Sequence, residues 1–249
     1  MMSTVGMYAK PDGLADLIDH YEGREQGEQS YNPNVWVTAL AEVVDEDVVR
    51  SALQRPDATT EMRSDRYAVD RARLAQVVAG ADLDDDNQLL SVWLLVQAWG
   101  NGLHSRFGRL NTAKALGHSE LLSNLRATAT LLRESHDPRE IEAAYRTWRA
   151  RIGIGEAFFT KWFAFAGVQP GREWQPLILD ARVRRTLARP PLEVSLTAVA
   201  GTTSLWVVYR TYVEMVHEWG GGPEAAQRLE WILFEQNGRS LTPDSQERG

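Results

Sequence analysis

Apolar residues recur at helical spacing along most of the chain. Leu14, Leu17 and Ile18 lie on one face of a predicted helix between Asp12 and Tyr21, and Gly23 follows it as a stop signal. The same spacing predicts helices at 33–44, 45–55, 66–78, 88–99, 120–133, 138–150, 156–166, 203–219 and 223–236. Only the short pieces 176–180 and 192–196 are typical of strands. The pattern therefore predicts an all-α protein of roughly ten helices joined by short loops.

Several helix starts carry their own signals. Pro33 suits the first turn of a helix, and Asp45 is a suitable N-cap. The acidic run 82–86 precedes an apolar helix, and carboxylates at that position cap the first turn and complement the helix dipole. A calcium loop is the alternative, but it requires a bidentate Glu at a fixed offset, and none follows. Capping is the preferred interpretation.

Composition fits one soluble folded domain spanning residues 1–249. Hydrophobic residues make up 43% of the chain and charged residues 24%, which suffices for a sizeable core. The absence of cysteine excludes disulfides, zinc–thiolate sites and cysteine-ligated iron–sulfur clusters. The longest apolar stretch, 89–99, is about half of the roughly 20 residues that a membrane span needs. We expect a cytoplasmic monomer without a membrane segment.

The distribution of charge is more informative than its sum. The formal net charge is −7, which argues mildly against a protein that binds nucleic acid over its whole surface. The acidic excess lies largely in residues 11–86, whereas arginine is concentrated between 149 and 189. These arginines are Arg149, Arg151, Arg172, Arg182, Arg184, Arg185 and Arg189. They predict a local basic face that the net charge conceals.

Common catalytic motifs are missing. The five histidines show no metal-ligand spacing, and the chain has neither a G-x-S-x-G motif nor a cysteine nucleophile. A Gly-x-Gly pair occurs at Gly153 and Gly155, but a dinucleotide-binding fingerprint would need a preceding strand and a third glycine at 158, where the chain has Phe. Metalloenzymes, triad hydrolases and dinucleotide-binding enzymes are poor candidates.

The segment around the two glycines favours a helix–hairpin–helix. A predicted helix over 138–150 ends in Ile152-Gly153-Ile154-Gly155, and a second helix begins at Glu156. The glycines permit a tight turn and let backbone amides approach an anion at a helix N-terminus. An ordinary helix–helix turn is the alternative that the glycines alone leave open.

A loop containing glycine and proline follows the second helix and ends at Asp180. Over residues 138–183, this arrangement resembles the helix–hairpin–helix superfamily of DNA glycosylases, and the pieces FFTKWFAFAG and PLILDARV are similar to its 8-oxoguanine DNA glycosylase branch. The resemblance implies two helical lobes around a cleft, with the helix–hairpin–helix core at about 138–189, and double-stranded DNA as partner.

The resemblance also implies roles for individual residues. The amides of Gly153 and Gly155 would hold a DNA phosphate, with Arg151 and Arg182 beside them. The hairpin carbonyls of such proteins often hold a monovalent cation, and no other cofactor or metal is expected. Asp180 would be the essential carboxylate that stabilises the cation-like sugar and assists the nucleophile.

The position of the nucleophile departs from the family pattern. The Schiff-base lysine of bifunctional members would fall at Ala157, but the lysine here is Lys161, one helical turn later and 19 residues before Asp180. Lys161 is the nucleophile, a phosphate contact in an enzyme where Asp180 assists water, or a structural lysine. The first is favoured because the chain has only three lysines, and arginine cannot form an imine.

A glycosylase must also hold a flipped base and fill the gap it leaves. Trp36, Trp99 and Trp174 flank turns and are candidate pocket walls, although each also suits a core. The predicted loop 101–111 supplies Asn101 and Arg106 as candidates for a wedge, and a solvated basic loop is the alternative.

Taken together, these features predict a base-excision DNA glycosylase. It would remove an oxidised base, with 8-oxoguanine favoured, by base flipping and N-glycosidic cleavage, with a Schiff-base lyase step if Lys161 forms an imine. The alternatives are a catalytically inactive DNA-binding protein of the same fold, suggested by Ala157, and a defence glycosylase acting on modified foreign DNA.

Overall fold

The computed structural model describes residues 7–63, 65–103, 106–151 and 154–241, without the side chains at 149–151. It confirms the all-α class, with thirteen α-helices in the described residues. They are α1 (Leu14–His20), α2 (Pro33–Leu40), α3 (Glu46–Leu53), α4 (Arg71–Gly80), α5 (Asp86–Asn101), α6 (Arg106–Leu116), α7 (Leu121–Glu134), α8 (Ile141–Arg151), α9 (Glu156–Ala166), α10 (Ala181–Leu187), α11 (Leu196–Ala200), α12 (Leu205–Gly220) and α13 (Pro223–Gln236). One turn of 3₁₀-helix, Pro138–Glu140, precedes α8.

A small antiparallel sheet was not predicted. Its strands are β1 (Gln29–Tyr31), β2 (Thr60–Glu61) and β3 (Tyr67–Val69), in the order β1-β3-β2. Because β3 uses residues that were predicted as helix, α4 begins at Arg71, where Asp70 accepts a hydrogen bond from the Arg73 amide and acts as N-cap. Two or three residues per strand are too few to show an alternating pattern.

The two strand predictions were wrong. Residues 176–180 and 192–196 form no strand, and the first of these pieces is an irregular segment that leads into α10. The leucines of both pieces are buried, Leu177 and Leu179 in the first and Leu192 and Leu196 in the second. A short apolar run reports burial, and burial does not distinguish a strand from a packed loop.

The predicted loop 101–111 is mostly helical. Helix α5 continues to Asn101, and α6 begins at Arg106, so the connection is reduced to residues 102–105. The Asn101 side-chain amide donates to the Gln97 carbonyl across 2.6 Å. The glycines and basic residues that suggested a long loop instead belong to two helix ends.

The acidic run before α5 has a capping role. One Asp85 oxygen accepts from the Asn87 and Gln88 amides, and hydrogen bonds from Gln88 and from these amides hold the pKa of the Asp85 carboxyl below its usual value. Arg126 of α7 pairs with Asp86 across 2.7 Å. No cluster of three or more potential metal-ligating side chains occurs among the described residues.

The chain divides into two compact units. The larger comprises Gln26–Gly171 and Gln175–Ile178 and contains α2 to α9 and the sheet. Helix α5 is its central element, because residues Val92 to Trp99 are all buried and the helix packs against α3, α4, α6, α7 and α9. The Trp162 indole of α9 donates to the Leu125 carbonyl of α7, which joins two further helices of this core.

The smaller unit comprises Met1–Glu25, Arg172–Trp174 and Leu179–Gly249. Its core forms where α12 and α13 pack together, with α10 and α1 against α13. Tyr209 and Tyr212 are fully buried in it. The number of units matches the two lobes expected, while the organisation as a single domain stays a prediction. None of the described helices is long and apolar enough to cross a membrane.

Candidate active site

Lys161 is enclosed by protein. It lies in the middle of α9, whose residues from Phe159 to Ala166 are all buried, and only 6% of its surface is exposed. Its amine donates a hydrogen bond of 2.7 Å to the Gly100 carbonyl at the end of α5. The same nitrogen lies 5.3 Å from the centre of the Phe158 ring. The Lys161 amine therefore contacts a main-chain carbonyl that lies 61 residues earlier in the sequence.

Gly100 makes room for the lysine. A Cβ atom at position 100 would lie 2.3 Å from Cδ and 2.7 Å from Cε of Lys161, which is closer than nonbonded carbon atoms approach. Glycine in a helix costs about 1 kcal/mol relative to alanine. Here it leaves the space through which the lysine side chain runs. The residues on either side of Gly100 are Trp99, a predicted pocket wall, and Asn101, a predicted wedge. The Lys161 amine therefore lies next to residues that were predicted to contact the flipped base or fill its place.

The second helix of the hairpin begins at Gly155. This residue is the N-cap of α9 with φ −66° and ψ 157°, a conformation open to any residue. A Cβ atom there would meet nothing nearer than Phe158 Cδ2 at 4.0 Å. Neither backbone strain nor crowding therefore requires glycine at 155. Its lack of a side chain leaves the first amides of α9 approachable, as a phosphate site would need.

The rest of the hairpin is only partly described. Ile154 is buried, as expected for a residue that fixes the turn to the core. Ile152 and Gly153 lie outside the described residues, and so does the Arg151 side chain, although the Arg151 backbone forms the last residue of α8. Glu156, in the first turn of α9, accepts a hydrogen bond of 2.7 Å from the Tyr145 hydroxyl.

Asp180 is the N-cap of α10 in the smaller unit. Its Oδ1 accepts hydrogen bonds from the amides of Arg182, at 2.8 Å, and Val183, at 3.0 Å. Oδ2 accepts no hydrogen bond from a described residue, and the residue is partly exposed. The carboxylate therefore has one oxygen that fixes its orientation and a second that is available to a substrate.

The arginines after Asp180 are exposed cations. The Arg182 guanidinium lies 4.6 Å from the centre of the Phe234 ring, and Arg185 donates to the Asn237 side chain across 2.5 Å. Arg189 donates to the Gly238 carbonyl at 3.4 Å. Within the described part of the chain, none of these three forms an ion pair with a carboxylate. Their charge is therefore free to attract an anion.

The three candidate tryptophans are buried. Trp36 is 1% exposed within α2, and Trp99 packs edge-on against Phe165 with ring centres 5.0 Å apart. One face of Trp174 is covered by the Arg172 guanidinium, 3.9 Å from the ring centre, and burial lowers the pKa of Arg172 to about 10. A base could stack on these rings only after neighbouring side chains move, so their role as pocket walls stays a prediction.

The two wedge candidates differ in accessibility. Asn101 is half-buried and tied to the Gln97 carbonyl, whereas Arg106 is exposed at the start of α6. Sequence reasoning missed two residues nearby, Gly100 and Phe107. Gly100 gives no sequence signal because its role depends on the packing of α9 against α5. Phe107 did give one, since it is an aromatic residue between two arginines.

A known protein family matches most of the chain. Residues 22–234 match the family model described as "Putative 8-oxoguanine DNA glycosylase OGG-like protein", and the match includes the hairpin, Lys161 and Asp180. No curated protein and no solved structure matches the chain significantly. The matched span is well over half of the chain. The protein is therefore a member of the OGG-like family of DNA glycosylases.

Proposed function

We propose that the protein excises oxidised guanine from double-stranded DNA and that Lys161 is its nucleophile. The observation that carries the proposal is the enclosed Lys161 amine, fixed by the Gly100 carbonyl next to Trp99 and Asn101. A surface lysine that only contacted phosphate would not need a glycine to make room for its side chain. A buried lysine held by a main-chain carbonyl presents a primary amine in a fixed position, and a primary amine is the group that forms an imine with a sugar carbon.

The reaction begins with a flipped nucleotide. The neutral Lys161 amine attacks C1′ of the sugar, the bond from C1′ to the base nitrogen breaks, and the base leaves with the bonding electron pair and takes up a proton. Opening of the sugar ring then converts the amine adduct to an imine between Nζ and C1′. Loss of the 2′ proton from this imine expels the 3′ phosphate and breaks the strand, and water releases the enzyme.

Asp180 would stabilise the positive charge of the sugar and would not itself form a covalent bond to it. The sugar carbon becomes positive as the base departs, and a carboxylate oxygen that accepts no hydrogen bond from a described residue would stabilise that charge. The hydrogen bonds from the Arg182 and Val183 amides fix the carboxylate, so little reorganisation is needed during the reaction.

The test is release of the free base from synthetic duplexes. Wild-type protein is incubated with duplexes that contain 8-oxoguanine, uracil or only ordinary bases, and the released base is measured by mass spectrometry. We expect 8-oxoguanine to be released. Asp180→Asn should lose at least about 100-fold in rate, because an amide oxygen can still cap α10 but carries no charge.

Asp45→Asn is the matched control. Asp45 is the N-cap of α3 and accepts from the Asp47 amide at 2.8 Å, so this variant also removes a charge from a helix cap. It should excise at the wild-type rate. Retained excision in Asp180→Asn, or equal loss in Asp45→Asn, would overturn the role of Asp180. Failure to release 8-oxoguanine from any duplex would overturn the proposed substrate.

A further inference from the structure

Phe107 is exposed to an unusual extent. It is 78% exposed, the highest fraction among the large hydrophobic side chains of the described residues. Leu110, three residues later on the same side of α6, is 52% exposed. Leaving apolar side chains in water forgoes about 25 cal/mol for each square ångström that could be buried. Phe107 and Leu110 together form an exposed apolar patch on one side of α6, and such patches mark surfaces that contact a partner.

The packing of α6 explains why Phe107 points outward. Gly108, Thr112 and Ala115 form the buried side of the helix. A Cβ atom at position 108 would lie 1.9 Å from the Asn101 side-chain oxygen, so glycine lets the end of α5 pack directly on α6. This contact fixes the helix rotation that turns Phe107 away from the core.

The charge around Phe107 favours an anionic partner. The chain has no acidic residue between Asp86 and Glu120, although it carries 34 acidic residues in all. Arg106 is exposed and Arg109 partly so, and neither pairs with a carboxylate within the described residues. Two cations beside an apolar ring match nucleic acid, which offers phosphates next to stacked bases.

We propose that Phe107 inserts into the base stack of duplex DNA while Arg106 and Arg109 contact the adjacent phosphates. This inference rests on the proposed function, because a protein that flips a base leaves a gap that an apolar wedge can occupy. The proposed inserting residue is therefore Phe107 and not Asn101, whose side chain is hydrogen-bonded to the Gln97 carbonyl of α5. Helix α6 then belongs to the DNA-binding surface.

The proposal is tested by binding, independently of catalysis. Affinity is measured for a duplex with a stable tetrahydrofuran abasic-site analogue and for the same duplex intact, with 2-aminopurine next to the abasic position to report unstacking. Wild-type protein should prefer the abasic duplex and raise the fluorescence. Phe107→Ala should lose about tenfold of that preference and most of the fluorescence change, because one base–aromatic stack is lost.

Four variants make the result specific. Phe107→Trp should keep the preference, since an aromatic ring remains. Val199→Ala removes an exposed apolar side chain of the smaller unit and should have no effect. Arg106→Ala and Arg109→Ala should weaken binding to both duplexes alike, because phosphates are common to both.

Three outcomes would overturn the proposal. In the first, Phe107→Ala keeps the wild-type preference and fluorescence. In the second, wild-type protein forms a concentration-dependent dimer that Phe107→Ala dissolves, which would make Phe107 an interface between copies. In the third, wild-type protein shows no preference for the abasic duplex. Base release is measured in parallel to separate the two claims. If Phe107→Ala keeps both excision and wild-type binding, the wedge alone is refuted. If Phe107→Ala loses the preference for the abasic duplex but the wild-type protein releases no base, the catalytic proposal alone is refuted.

Discussion

At the scale of single residues, the contact between Lys161 and Gly100 carries the most functional information. Glycine has a low helix propensity, and Gly100 lies in the last turn of α5, the central helix of its unit. The lysine that crosses this glycine is buried and donates to its carbonyl. A glycine in a helix and a lysine in a core are each unfavourable alone. Together, Gly100 and Lys161 hold the lysine amine in a defined position.

Gly100→Ala should separate function from stability. The added methyl group would overlap the Lys161 side chain, which is flexible and would move, so the amine would leave the Gly100 carbonyl. We expect excision to fall at least tenfold, because a displacement of about 1 Å costs that much or more in a positioned catalyst. The unfolding temperature should change by only a few degrees, because the methyl group also raises helix propensity.

The control for this substitution is Gly80→Ala. Gly80 ends α4 in the same unit, and a Cβ atom there would meet nothing within 4 Å. Its excision rate should match wild type, as measured by base release at saturating enzyme. Wild-type excision in Gly100→Ala would show that the position of the Lys161 amine does not matter.

At the scale of secondary-structure elements, the start of α9 is where the fold can meet a phosphate. Gly155→Ala should leave the fold intact, at a cost below about 1 kcal/mol for an alanine N-cap, since the backbone angles at 155 suit alanine. Duplex affinity should fall severalfold, because the methyl group covers amides that would approach a phosphate. Fluorescence anisotropy with a labelled duplex measures the change.

Gly27→Ala is the comparison variant for the hairpin. A Cβ atom at position 27 would meet nothing within 4 Å, so this substitution adds the same methyl group at an open site outside the hairpin sequence. Its affinity should equal that of wild type. If Gly155→Ala binds as tightly as Gly27→Ala, the hairpin amides do not hold the DNA.

Long elements could be predicted from the sequence, and short ones could not. Helices α9 and α13 have the predicted bounds because sustained periodicity and a clear glycine or proline mark both. The sheet could not be predicted because its strands have only two or three residues and are stabilised by pairing between distant segments. The first half of α6 was predicted as part of a loop over 101–111, because this segment contains glycine, basic and aromatic residues. Gly108 in fact provides close packing against Asn101.

The candidate site was predictable only in part, for the same reason. The resemblance to DNA glycosylases singled out Lys161 and Asp180, whereas the helix that Asp180 caps was not predicted. Gly100 and Phe107 acquire their significance from tertiary packing and exposure, which periodicity does not report. Residues that act through a neighbour 61 positions away cannot be recognised from local sequence.

At the scale of the whole molecule, charge is divided by region. The net charge is −7, yet residues 87–119 have no carboxylate and α10 carries two exposed arginines, Arg182 and Arg185. DNA binding should therefore weaken steeply with salt, since each phosphate contact contributes about 0.9 to the slope of log affinity against log salt. Arg182→Ala should reduce that slope by about 1, equally for all duplex sequences.

Arg50→Ala serves as the comparison for that measurement. Arg50 is already paired with Glu46 across 2.7 Å, so its charge is compensated. Titrations at several salt concentrations should give this variant the wild-type slope. A slope that Arg182→Ala leaves unchanged would remove Arg182 from the DNA contact.

The central claim is that Lys161 attacks the sugar of an oxidised guanine nucleotide in duplex DNA. Borohydride reduction during the reaction tests it most directly, because reduction converts an imine to a stable covalent adduct. The account predicts one protein–DNA adduct with an 8-oxoguanine duplex, mapped by peptide mass spectrometry to Lys161 and absent with an undamaged duplex and in Lys161→Ala. No adduct with the wild-type protein, or an adduct that persists in Lys161→Ala, would contradict it.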